Sequence, residues 1–156
     1  MNIFVLDLEP HLAAQYHADK HVVKMVLETA QILCTVLNKM GYTTPYRSSH
    51  IHHPCVKWAA KSYENYIWLK NLGLELGAEY TYRYGKIHKC FEVIVNLPSP
   101  DFNEFLENEA TPFAQAMPDI YKNQEDTVAA YRNYYVGAKK DLLKYTKRKM
   151  PGWLKE

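Results

Sequence analysis

The sequence predicts an all-α protein. It reads as a single compact domain over residues 1–156, with three to four long helices and an irregular loop around residues 98–124. Three observations carry this. Apolar residues recur at steps of three and four over long stretches. Proline and glycine punctuate those stretches at their ends more than in their interiors. The chain is 47% hydrophobic, with no repeats, low-complexity tracts or linkers to divide that apolar content between separate cores.

In chain order, Ile3–Leu8 reads as a short strand or an extended lead-in, and Pro10 opens a first helical turn through Tyr16. From Asp19 to about Lys39 a helix buries Val22, Val23, Val26, Leu27, Ala30, Leu33 and Leu37, with Asp19 as N-cap or first-turn acid and Gly41 as the stop. Residues 42–54 form a loop. Proline at a first helical position then starts a second helix at Pro54, running to about Asn71. A third helix is expected over Leu74–Val95, weakened at Gly77 and Gly85 and ended by Pro98-Ser-Pro100. Residues 101–124 look irregular apart from a turn around Phe102–Leu106. A fourth helix is expected over Thr127–Lys147, and Pro151-Gly152-Trp153 closes the chain.

Composition excludes several classes. The apolar content argues against disorder, and no long uncharged apolar run offers a membrane span. The apolar start Met1–Leu6 lacks the basic residues of a secretory signal and meets Asp7 at once. Three widely spaced cysteines, Cys34, Cys55 and Cys90, form no Cys-x-x-Cys pair and fit a reducing cytoplasm. A net charge of +2 neither demands nor excludes nucleic acid. It hides an asymmetry, however: residues 101–126 are acidic, whereas Lys139, Lys140, Lys144, Lys147, Arg148, Lys149 and Lys155 make the end basic. That tail reads as a phosphate-contacting surface or as an ordinary solvated face. Thirteen tyrosines exceed what packing alone requires, since every buried hydroxyl needs a partner.

The first long helix holds the densest polar set. His21, Lys24, Glu28 and Gln31 follow one stripe at steps of three and four. Lys24 and Glu28 are i,i+4 neighbours, which suits a surface ion pair or a catalytic stripe of amine nucleophile and carboxylate. His17 and His21 have the spacing of a metal-holding pair, but no second spaced pair accompanies them and no metal is assigned. His53, ahead of Pro54, suits anion binding or capping at a helix N-terminus.

Two aromatic–basic clusters suit a base-plus-phosphate pocket: Tyr80, Tyr82, Arg83, Tyr84 and Lys86, then Tyr131, Arg132, Tyr134 and Tyr135. Core tyrosines beside surface arginines are the plain alternative. Between them, Gln115 lies in a proline-braced stretch where its amide could read a base edge or merely close a packed loop. The ligand-binding candidates are thus His53, Tyr82, Arg83, Lys86, Gln115, Tyr131 and Arg132.

The order Met-x-Ile-Phe-x-Leu at the start, Glu28-x-Ala-Gln31 on the long helix, Gly41-Tyr42, and His53-Pro54 opening the next helix resembles the pyrimidine-dimer DNA glycosylase family over roughly the first 90 residues. The chain as a whole is also similar to a set of small proteins from tailed phages and their bacterial hosts. They share Tyr16-His17-x-Asp19-Lys20-His21, Glu79-Tyr80-x-Tyr82-Arg83-Tyr84-Gly85-Lys86, Gln115-Ala-Met117-Pro118 and Tyr131-Arg132-x-Tyr134-Tyr135, and that likeness brings no activity with it. The glycosylase resemblance implies an all-α, cofactor-free enzyme that attacks a sugar carbon with the chain's N-terminal amine and uses a glutamate on the first long helix. Asn2 is a large penultimate residue, so Met1 is expected to stay.

The expectation is a DNA base-processing enzyme, a glycosylase or lyase for damaged or modified pyrimidines. Its catalytic candidates are Lys24, Glu28, His21 and Met1, and it takes no cofactor. The alternative is a non-catalytic protein that sequesters a nucleotide or nucleotide-derived signal, as in phage counter-defence. Partners are then DNA or a nucleotide, with no membrane. Oligomeric state is left open, a homodimer included.

Overall fold

The computed structural model describes residues 1–154; Lys155 of the basic tail lies outside them. The fold is all-α. Its helices are α1 (Pro10–Tyr16), α2 (Asp19–Lys39), α3 (Pro54–Lys61), α4 (Tyr63–Tyr84), α5 (Lys89–Val95) and α6 (Thr127–Ala138), with short 3₁₀ turns after α5 and around α6. Among the described residues the only β feature is an isolated bridge between Ser62 and Glu107. No helix among them is long and apolar enough to cross a membrane.

Helix α4 is the hub and packs against α1, α2, α3 and α5. Helix α2 has the predicted bounds, and the side chains of Val22, Val26, Ala30, Leu33 and Leu37 are fully buried. Val23 and Leu27, expected in the same stripe, are exposed by 40% and 36%. They fall outside the narrower face that α4 and α5 cover.

The predicted second and third helices have other boundaries. The break falls at Ser62, not near Asn71. Ser62 is extended (φ −141°, ψ 156°) and its Oγ caps Asn65 N, while Tyr63 N and Glu64 N donate to the Glu107 and Asn108 carbonyls. This tertiary pairing ends α3 where apolar periodicity alone would continue it. Helix α4 then runs unbroken through Gly77, because Phe91 of α5 lies against that backbone. A Cβ on residue 77 would collide with the Phe91 ring. The true stop is Gly85, left-handed at φ +70°, whose N–H closes on the Thr81 carbonyl.

Helix α6 stops at Ala138 rather than Lys147. The Lys140–Arg148 segment has a helix-compatible sequence, but it turns back over α2 and α4. There Asp19 N donates to the Lys144 carbonyl (2.8 Å), and Thr146 N and Oγ1 donate to the two Asp19 carboxylate oxygens (2.9 and 2.6 Å). Those bonds outweigh local helix propensity.

Candidate active site

The chain enters as an extended, unpaired strap. Ile3, Phe4, Val5 and Leu6 are all buried, and Phe4 stacks on His21 at 4.4 Å while meeting Tyr131 and Tyr135 edge-on. The strap ends at Met1, whose side chain is only 3% exposed, so the accessible part of this half-buried residue is its main-chain end. The Met1 amine lies 3.6 Å from Glu28 Oε1, and Asn2 N donates to that same oxygen at 3.0 Å. On the other side, Lys24 Nζ stands 3.6 Å from Glu28 Oε2. One nearly buried carboxylate is therefore held between two amines. The Lys24 side chain is two-thirds exposed on a long tether, whereas Met1 is packed in place.

The surroundings keep competing groups quiet. His53 caps α3, its Nδ1 accepting from Cys55 N at 3.0 Å. Burial, then the nearby N-terminal charge and His50, lower its pKa, with Glu28 and the Met1 backbone opposing. Burial pushes the Cys55 thiol up to about 12, so it stays protonated at neutral pH. His21, one turn before Lys24, is buried, and its Nδ1 pairs with the Tyr135 hydroxyl at 2.5 Å. Burial, with help from His17, Lys139 and Lys24, brings its pKa down to about 3, so the ring is neutral at working pH. His21 thus serves as packing beneath the site. His17 is sealed in the same aromatic cluster, 6.5 Å from His21 between ring centres, with Nδ1 on the Ala13 carbonyl and Nε2 without a partner among the described residues.

The remaining candidates do not gather at Glu28. Arg83 is fully buried and spends its guanidinium on Glu79 (2.7 Å), Asp19 (3.0 Å) and the His17 and Gln15 carbonyls. Arg148 adds a two-pronged contact to Glu79, and this buried network pins the C-terminal tail to α2 and α4. Arg132 binds the Leu6 carbonyl and Asp7 and lies over the Tyr16 and Trp153 rings. Gln115 closes its own loop: Nε2 donates to the Asn123 carbonyl and Oε1 accepts from Asn123 N. Tyr131 is fully buried, its hydroxyl at Asn2. Tyr82 and Lys86 are exposed, and it is Arg148, rather than Arg83, that stacks on Tyr82 at 4.2 Å. An apolar cleft of about 470 Å³ opens two turns further along α2, between Val36, Ile51, His52, Val56 and Ala60, and does not include Met1 or Glu28.

An amine and a carboxylate brought together by the chain start and the first long helix are the parts that the resemblance requires. Residues 1–92 match the family model for pyrimidine dimer DNA glycosylase. The chain belongs to the pyrimidine dimer DNA glycosylase family. No curated protein and no solved structure matches it. The family-matched segment contains Met1, Lys24, Glu28 and His53. Residues of the other part, Ala116 and Tyr131, reach back to Asn2. Asn2 and Cys55 had no place among the sequence-level candidates. The one available signal was a polar Asn heading a buried apolar strap, where it must find partners.

Proposed function

We propose that this chain is a DNA glycosylase with lyase activity, acting on damaged or modified pyrimidines, in which the Met1 amine is the nucleophile and Glu28 its proton acceptor. The observation that supports this reading is the 3.6 Å approach of the Met1 amine to a buried carboxylate. The unprotonated amine attacks C1′ of the deoxyribose. The C1′–N bond to the base breaks, and its electron pair leaves with the base, which takes up a proton. The attacking nitrogen sheds a proton to Glu28; the C1′–O4′ bond then breaks, O4′ takes that proton back from Glu28, and a protonated imine is left. Lys24, at the far oxygen of Glu28, helps orient the carboxylate toward the amine. DNA is the partner, reached by base extrusion, and the three buried free thiols suit a reducing compartment.

Borohydride trapping on duplex DNA carrying pyrimidine dimers tests this. The expected result is a covalent adduct that peptide mapping places on Met1, with Glu28→Gln trapping about a hundredfold slower or worse. Base release without an adduct would replace the amine by water. Intact binding of nucleotides with no base release would overturn the enzyme reading altogether.

A further inference from the structure

Asn2 spends its side-chain amide and its backbone N–H in one place. Its Nδ2 donates to the Ala116 carbonyl at 2.8 Å, and its Oδ1 accepts from the Tyr131 hydroxyl and from Ile3 N, both at 2.8 Å, with the Cys55 thiol at 3.9 Å. Its backbone N–H donates to Glu28 Oε1. A single residue therefore touches the carboxylate and is bonded to the residue that carries the amine. The Tyr131 hydroxyl has one proton and two acceptors in reach, Asn2 Oδ1 at 2.8 Å and the Ala114 carbonyl at 3.1 Å, and the nearer one takes it. Its lone pair accepts from Ala116 N. Tyr131 itself is fully buried.

A chain terminus is poorly ordered unless something ties it down. The apolar strap fixes where the chain lies, but burial is non-directional and does not set the rotation of the last peptide. Hydrogen bonds do. Two of the anchoring points, Ala116 and Tyr131, come from outside residues 1–92, so the part of the chain beyond the family match reaches into the site.

We propose that Asn2 is a positioning residue that registers the Met1 amine against Glu28, and that Tyr131 contributes to the reaction only through Asn2. This rests on the reading of Met1 as nucleophile. A displacement on the order of 1 Å costs an oriented reaction up to about a hundredfold, so the clamp is expected to act on the chemical step and not on DNA binding.

The variants are Asn2→Leu, chosen over Ala so that a bulky second residue keeps Met1, and Tyr131→Phe, which retains the buried ring. Single-turnover base release and borohydride trapping on dimer-containing DNA are measured with KM and DNA affinity. Each variant is expected to be at least about tenfold slower in both rates, with KM changed by less than about twofold. The double variant should be no slower than Asn2→Leu alone. Variants at the wild-type rate, a loss carried by KM, or effects that multiply in the double variant overturn the proposal while the wild-type adduct still stands. A wild-type protein that gives no adduct overturns the nucleophile reading and the clamp together. If Asn2→Leu does not fold, Tyr131→Phe carries the same rate and KM comparison.

Discussion

Acid should unfold this protein early, through two buried histidines. His17 is fully buried with its pKa lowered from 6.5 to about 4, chiefly by burial, and His21 is brought from 6.5 to about 3 by burial and neighbouring positive charge. Between pH 6.5 and the folded-state values, the unfolded chain binds a proton at each ring that the fold does not. Stability therefore falls as pH drops through that window. At pH 5 an unfolded histidine lies about 1.5 units below its ordinary pKa, which at 1.36 kcal/mol per unit is about 2 kcal/mol for each ring. Both rings remain neutral in the fold at pH 5, so the contributions add to about 4 kcal/mol, a large share of the 5–15 kcal/mol typical of a domain. Urea unfolding at pH 8 and pH 5 measures the difference directly. His17→Leu should shrink the loss between those pH values by about 2 kcal/mol, whatever it does to absolute stability. An undiminished pH 8-to-5 loss in that variant would show that His17 is not held neutral by the fold, and the reasoning would fail.

Four further outcomes follow from the same contacts. Glu28→Gln should slow borohydride trapping about a hundredfold or more while the protein still melts cooperatively. The Asn2→Leu and Tyr131→Phe pair should slow the chemical step without raising KM. Arg83→Met should cost about 3 kcal/mol in urea unfolding, the low end for a broken buried ion pair because Arg148 and Thr146 still serve Glu79 and Asp19. It should leave trapping intact in protein that is folded, whereas a ligand-binding arginine would show the opposite pattern. Gly77→Ala should destabilise by about 1–3 kcal/mol, since its Cβ would collide with the Phe91 ring, and a thermal melt reads this as a fall of several degrees.

The parts legible in the sequence were those governed by local rules. Asp19–Lys39 declared itself through its apolar stripe and a stop signal, and Pro54 marked the start of α3 through its own backbone chemistry. Glu28 and Lys24 could be paired because i,i+4 spacing puts them on one face. The failures share one cause, contacts between residues far apart in the chain. Ser62 breaks a helix because Glu107 and Asn108 reach it, and the tail after Ala138 unwinds because Asp19 receives it. Arg83 looked like a phosphate contact because its neighbours are aromatic and basic. Besides Glu79 one turn before it, its partners are Asp19 and two carbonyls, all more than sixty residues away.

The tyrosines divide along the same line. Tyr131, Tyr135 and Tyr145 turn inward, and their hydroxyls meet Asn2, His21 and the Tyr16 carbonyl. Tyr82 remains at the surface under Arg148. Of the inward set, Tyr131 anchors the chain start through Asn2. Fixing one residue's backbone costs about 1–2 kcal/mol, and a chain end is poorly ordered unless it is tied down. Burying Ile3, Phe4, Val5 and Leu6, at roughly 1.5–3 kcal/mol for each large side chain, offsets that cost residue by residue. The apolar strap thus supplies the energy that holds the chain start in the core. Direction comes from the polar atoms at its tip, because only a hydrogen-bonded group distinguishes one rotation of the last peptide from another. The amine stands at Glu28 because helix α6 and the loop before it close over Asn2.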